Sequence, residues 1–374
     1  MAFYPETFSM LRGNLLTPEG WRHGTLAFAG DRIAAIDAEP ADPLDNNAHY
    51  LLPGFIDLHI HGALGYDFME GAAAASAVAS LHARSGTTSL LATTVGADHD
   101  TLTAVLTGLG PLCRERPASA ARLIGVHLEG PYVNPGRLGG LPDTVRPVDL
   151  AEIDGYHRLA PIAVITLSPE YAGNAALIAE LTQRGIRVQL GHSLGSYEDG
   201  VAALNHGAAG FTHLYNAMTP LAHRAPGMVG AALAHAEYSE LIPDLIHVHP
   251  GAMKVALRCI PKLYCVTDAT QTAGLPDGSY PIHGRTLSKC LGAVTLPDGT
   301  LAGSALTMDV ALRNLVRLGL TLEDASHRVS RNPADYLGRS DIGRLVPGAR
   351  GDVVELDRDL NVIAVHIDGA PLPS

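Results

Sequence analysis

Short apolar runs and longer amphipathic stretches alternate through the middle of the chain, and this alternation predicts the fold. Eight runs rich in Ile, Leu, Val and Phe read as buried strands, at 55–58, 89–93, 123–127, 162–167, 186–190, 210–212, 241–246 and 263–267. Between them, stretches such as 72–84, 101–113, 175–184, 197–206 and 252–259 carry apolar residues at helical spacing. Repeated strand–helix alternation predicts parallel strands with crossover helices, and eight such units close into a (β/α)8 TIM barrel. The two ends have a different pattern. Residues 24–37 alternate around a Gly30-Asp31 turn, a hairpin signal, and 343–369 are short β-rich runs punctuated by Pro347-Gly348 and Asp359-Leu360-Asn361. The expectation is a catalytic barrel of residues 53–340, with 1–52 and 341–374 joined in a small β-sandwich domain. Residues 280–301 read as a β-hairpin inserted after the eighth strand.

Composition narrows the function classes. The 374 residues exceed the roughly 250 of a typical barrel, which leaves room for the second domain. Hydrophobic residues make up 47% and charged residues 17%, so the chain can bury a large core. A formal net charge of −12 counts against nucleic acid and anionic membrane as partners, since both need a basic surface. A small anionic substrate stays open, because one pocket can be basic on an acidic protein. No apolar run approaches the roughly 20 residues of a membrane span. Residues 1–10 lack the basic-then-apolar pattern of a secretory leader. Cys113, Cys259, Cys265 and Cys290 show no Cys-x-x-Cys spacing and read as thiols of a reducing compartment. A cytoplasmic protein is expected.

Polar residues gather just past the predicted strands. The first strand runs into Asp57-Leu58-His59-Ile60-His61, and the third ends at His127-Leu128-Glu129. His192, His213, His247 and Asp268 follow the fifth to eighth. In a barrel these positions share one mouth, where active sites are built. His-x-His on a strand presents both imidazoles on one face. Glu129, His192 and His213 offer one oxygen and two nitrogen ligands, a set suited to Zn²⁺ or a similar divalent ion with a position left for water. Such an ion activates water and polarises a carbonyl. Asp268 stands where it takes a proton from water and passes it to a leaving amine. Taken singly, each has a plainer reading: a hydrogen-bonded histidine, a buried ion-pair partner in Glu129, a helix cap in Asp268. Their convergence at one mouth favours the metal site. Histidines elsewhere, His82 and His283 among them, read as structural or solvated.

The segment PGFIDLHIHG (53–62) is similar to the opening strand of the amidohydrolase superfamily. GVHLEGPYVNP (125–135), GHSLGSYE (191–198), THLYNAMTPLAHRAPGMVG (212–230), IHVHP (246–250), VTDAT–AGLPDG (266–278) and LAGSALTMD (301–309) resemble, in order and spacing, the N-acetylglucosamine-6-phosphate deacetylases within it. The resemblance implies a two-domain homodimer that hydrolyses the acetamide of N-acetylglucosamine 6-phosphate to glucosamine 6-phosphate and acetate. It implies Glu129, His192 and His213 as metal ligands, Asp268 as catalytic acid/base, and Asn216 and Ala217 at the substrate. Arg224 would hold the phosphate, suited by its bidentate geometry, and His247 the sugar. Gly140, Leu301, Ala302 and Gly303 would line the pocket. His59 and His61 pose the choice between one metal and two; zinc comes first, with iron, manganese, cobalt or nickel as alternatives. Two positions depart from the family: Leu141 stands where many members carry a His, and Leu245 where members often have Gly. With Leu141 unable to donate a hydrogen bond, polarisation of the carbonyl would fall on the metal or on His127. Another N-acyl sugar phosphate, an N-acyl amino acid or a cyclic amide is the alternative substrate, and a non-catalytic barrel scaffold the alternative of another class.

Overall fold

The structure is a computed structural model that describes residues 9–282 and 285–373; the first eight residues of the segment read for a leader lie outside them, as does His283. All eight predicted strands form. Six pair side by side in chain order in one parallel sheet: Phe55–Asp57, Thr87–Thr94, Arg122–Glu129, Ile162–Leu167, Arg187–Leu190 and Gly210–Phe211. Glu240–Leu241 and Tyr264–Cys265 make a two-stranded parallel ladder. Backbone hydrogen bonds cross both seams. The Leu214 N–H donates to the Glu240 carbonyl at 2.9 Å, and the Asp268 N–H donates to the His59 carbonyl at 2.8 Å. The result is an α/β fold around a curled parallel sheet. Thr87–Thr94 is buried along its whole length, as expected of a strand covered on both faces. The helices outside are capped by their own sequence: Asp98 accepts from the Thr101 N–H, and Ser196 and Asp199 form a capping box.

Three segments differ from the sequence pattern. The seventh strand stops at Leu241 rather than continuing to 246. Pro243 has no N–H for a ladder, and the Asp244 carboxylate accepts from the N–H groups of Ile246 and His247, both at 2.9 Å, turning the chain. His247 therefore projects from a turn, and Glu240 is the polar residue on the strand itself. The 175–184 helix divides into a 3-10 turn, Asn174–Leu177, and a short α-helix, Ile178–Gln183. The insertion is larger than one hairpin: Gly278–Ile282, Arg285–Cys290, Ala293–Thr295 and Leu301–Ser304 build a four-stranded sheet.

Both ends of the chain meet, as their β pattern predicts, and among the described residues they form a single seven-stranded mixed sheet. Tyr50–Pro53 joins them, pairing parallel with Asn14 and Leu15 and antiparallel with Val353–Leu356. Alternation along these strands splits their apolar residues. Leu16, Leu52 and Val354 enter the main core, while Leu15, Leu51 and Val353 pack with Leu26, Phe28, Ile33 and Leu345 in a second cluster. No helix among the described residues is long and apolar enough to cross a membrane.

Candidate active site

His59, His61, Glu129, His192, His213 and Asp268 are all buried at one end of the curled sheet. Three sit in left-handed backbone conformations that side chains rarely adopt: His192 at φ 49°, His213 at φ 30° and Asp268 at φ 49°. Neighbouring hydrogen bonds hold them there. The His192 carbonyl accepts from the Ser168 hydroxyl at 2.6 Å, and the Asp268 carbonyl accepts from the Ser304 N–H at 2.7 Å.

The donor atoms fall into groups. Glu129 Oε1 lies 3.1 Å from His192 Nε2 and 3.2 Å from His213 Nε2. His61 Nε2 lies 3.2 Å from Glu129 Oε2 and 3.3 Å from Asp268 Oδ1, with His59 Nε2 3.2 Å away. Tautomers test whether this set fits a cation. His192 Nδ1–H donates to the Arg137 carbonyl at 2.8 Å, so its Nε2 lone pair faces the Glu129 carboxylate. His59 Nδ1–H donates to Glu240 Oε2 at 2.9 Å, so its Nε2 lone pair faces Glu129 and Asp268 at 3.4 and 3.5 Å. Lone pair against carboxylate is repulsive unless a cation stands between them. Ligand atoms around a tetrahedral ion with bonds of about 2.0–2.1 Å are separated by roughly 3.3 Å, close to these spacings. The residues fit a divalent metal, and Glu129 touches both groups.

Electrostatics agree. Burial opposes charge on every member, yet hydrogen bonds to Asp268 and Glu129 hold the His61 imidazole up at about 9. Burial would raise Asp268, but the His59 charge and the bond from His61 bring it down to about 2. Burial likewise opposes Glu129, and the His59 charge with bonds from His192 and His213 holds it well below the carboxylate range. The carboxylates are anionic and the cluster demands compensating positive charge.

Above the cluster opens a cavity of about 880 Å³. Its wall includes Gly140, Asn216, Ala217, His247, Leu301, Ala302 and Gly303, the set taken from the sequence for the substrate. His247 is aimed by Asp244, whose Oδ2 lies 2.6 Å from Nδ1. Gly303, at φ 64°, has no room for a side chain: a Cβ would stand 2.5 Å from Thr270 Cγ2. Leu141 lines the cavity as well. Two predicted residues are not brought to the wall. His127 lies one layer down, its Nδ1 bonded to the Leu58 carbonyl at 3.1 Å and its Nε2 to Thr166 at 2.7 Å. Arg224 is exposed on the loop ahead of the Gly227–His235 helix. Two lining or supporting residues escaped the sequence reading. Arg137 is the one Lys or Arg on the cavity wall among the described residues. Glu240 supports His59; burial opposes its charge, but His59 keeps its carboxyl below the usual range. Its trace in the sequence is a lone acid inside an apolar run.

This fold and site define a hydrolase of the amidohydrolase type. The chain belongs to the amidohydrolase family, whose model matches residues 50–372. It is 40% identical to an N-acetylgalactosamine-6-phosphate deacetylase of Escherichia coli O157:H7, over 95% of this chain and 96% of that one. It is 34% identical to an N-acetylglucosamine-6-phosphate deacetylase of Bacillus subtilis, over 91% of each. The crystal structure of the Thermotoga maritima N-acetylglucosamine-6-phosphate deacetylase is similar at TM-score 0.90 and 30% identity, covering 98% of this chain and 99% of that one. The Mycobacterium smegmatis enzyme, as a point mutant in complex with N-acetyl-D-glucosamine-6-phosphate, matches at TM-score 0.89 and 30% identity, covering 98% and 100%.

Proposed function

We propose that this enzyme removes the acetyl group of N-acetylglucosamine 6-phosphate, giving glucosamine 6-phosphate and acetate. The observation that carries the reading is the position of Asp268. Its carboxylate meets the histidine cluster on one side and the cavity on the other. A divalent metal, zinc first, held by Glu129, His192 and His213, with His59 and His61 for a second ion, supplies Lewis-acid polarisation of the carbonyl and a more acidic water. Asp268, anionic in this setting, accepts the proton of the attacking water as the C–O bond forms. It returns that proton to the nitrogen as the C–N bond breaks, so the amine leaves neutral. Asn216, Ala217 and His247 orient the sugar, and Gly140 with Leu301, Ala302 and Gly303 confines the acetyl end. Leu141 offers no hydrogen bond to the carbonyl, and His127 has both nitrogens engaged, so neither side chain polarises that oxygen.

Asp268→Asn is expected to keep bound metal and lose turnover by about 10²–10⁴-fold. Unchanged turnover in that variant would sink the assignment. A second reading is favoured by the 40% identical relative, which is named for N-acetylgalactosamine 6-phosphate. Rates on both 6-phosphates decide between the two epimers. The same reading takes residues 53–340 as a closed eight-stranded barrel, the terminal sheet as a small sandwich-type domain, and the working enzyme as a cytoplasmic homodimer.

A further inference from the structure

Glu240 is fully buried, flanked by Ser239 and Leu241 on the strand opposite the first histidine pair. A carboxylate so placed is costly unless its oxygens are hydrogen-bonded. Oε2 accepts twice, from His59 Nδ1–H at 2.9 Å and from the His213 backbone N–H at 3.1 Å. Oε1 faces the Tyr264 hydroxyl at 3.4 Å, and that hydroxyl oxygen receives the Gln189 amide at 2.6 Å. The two short bonds come from separate strand ends and reach one residue of each donor group. One commits His59 Nδ1 as a donor, which leaves the Nε2 lone pair directed at Glu129, Asp268 and His61. The other braces His213 in its left-handed conformation.

We propose that Glu240 is a positioning residue for metal retention: its charge fixes the tautomer of His59 and raises its basicity as a ligand. It sets the affinity of the His59, His61 and Asp268 group for a divalent cation without touching substrate. A carboxylate behind a ligating histidine acts in this way generally, and its loss typically weakens metal binding about 10–100-fold. The inference rests on the metal reading of the cluster and needs no substrate, so a wrong substrate assignment leaves its test intact.

The test uses the full chain loaded with Co²⁺ and a competing chelator. Glu240→Gln preserves shape and removes charge. It is expected to release cobalt at about 10–100-fold lower chelator concentration than the parent and to change the visible absorption band. In a His59→Asn background the same substitution is expected to cost no more than about twofold, because its partner is gone. Parent-like affinity and absorption in Glu240→Gln, or its full cost persisting without His59, overturns the proposal. A measurement on the parent protein guards against a variant that fails to fold. In the Zn²⁺-loaded chain, nitrogen NMR of the histidines, with His59 assigned by its loss in His59→Asn, is expected to show the Nδ1–H tautomer. An Nε2–H tautomer at His59 also overturns it.

Discussion

Arg137 and Arg224 are two different answers to where a phosphate is held. Arg137 lies on the cavity wall, its carbonyl already bonded to His192. Arg224 is exposed and off that wall in a single chain. A charge-assisted hydrogen bond contributes about 1.5–3 kcal/mol, so Arg137→Ala is expected to raise KM for the 6-phosphate by roughly 10–150-fold. KM for the dephosphorylated sugar should hardly move. Equal increases for both substrates would mean that Arg137 shapes the loop and does not read phosphate. The same pair of KM values in Arg224→Ala reports whether that residue reaches the pocket in the assembled enzyme. The sequence made residue type and strand-end position legible, so Glu129, His192, His213 and Asp268 could be named from spacing alone. It could not place Arg137, which sits in a Pro- and Gly-rich loop with no periodicity. Nor could it show that Arg224 projects away, because an exposed loop has no apolar face to orient it.

The loop that carries Arg137, Gly140 and Leu141 is anchored by the helix that follows it. Leu150–Leu159 is N-capped by Asp149, and its first turn presents Glu152. Glu152 accepts from the Tyr156 hydroxyl and from Arg146 Nη2, both at 2.8 Å, and from the Tyr132 hydroxyl. The Arg146 backbone N–H donates to the Pro131 carbonyl at 3.1 Å. Burial opposes the Glu152 charge, but the bonds from Arg146, Tyr132 and Tyr156 bring its carboxyl down to about 2, from 4.5. The unfolded chain then binds more protons between these values, so this contribution is present above pH 4.5 and is lost as pH falls through 2. Glu152→Gln should therefore melt below the parent at neutral pH, with the gap closing as pH falls from 4.5 toward 2. A gap that stays constant over that range would show that the carboxylate charge does not stabilise the loop. At this scale periodicity reveals the elements that pack, the eight strands and most helices. It misses turns made by single side chains, which is why Asp244 shortened the seventh strand and hid Glu240 as its functional residue.

The terminal sheet and the curled sheet share one apolar interior, and this decides how the molecule should unfold. Leu16, Leu52 and Val354 of the terminal sheet belong to the same core cluster as Leu90, Val126 and Ile165 of the parallel strands. A buried ion pair crosses the same boundary. Arg122, at the start of the third parallel strand, donates to Asp352 at 2.9 Å and pairs with Asp368. The sequence showed that both ends are β-rich, but not that they splice into one ladder, since pairing between residues so far apart leaves no local pattern. Trp21, the single tryptophan, lies in the terminal sheet against Tyr50, whereas the helices surround the parallel strands. Tryptophan fluorescence and far-ultraviolet dichroism therefore report on different parts. Their denaturant transitions are expected to coincide, because a shared core favours all-or-none unfolding. Arg122→Ala strands a buried Asp352 and should lower stability by about 3–5 kcal/mol in both signals together. An earlier fluorescence transition, with the dichroism midpoint unmoved by Arg122→Ala, would instead make the terminal sheet an independently folding unit.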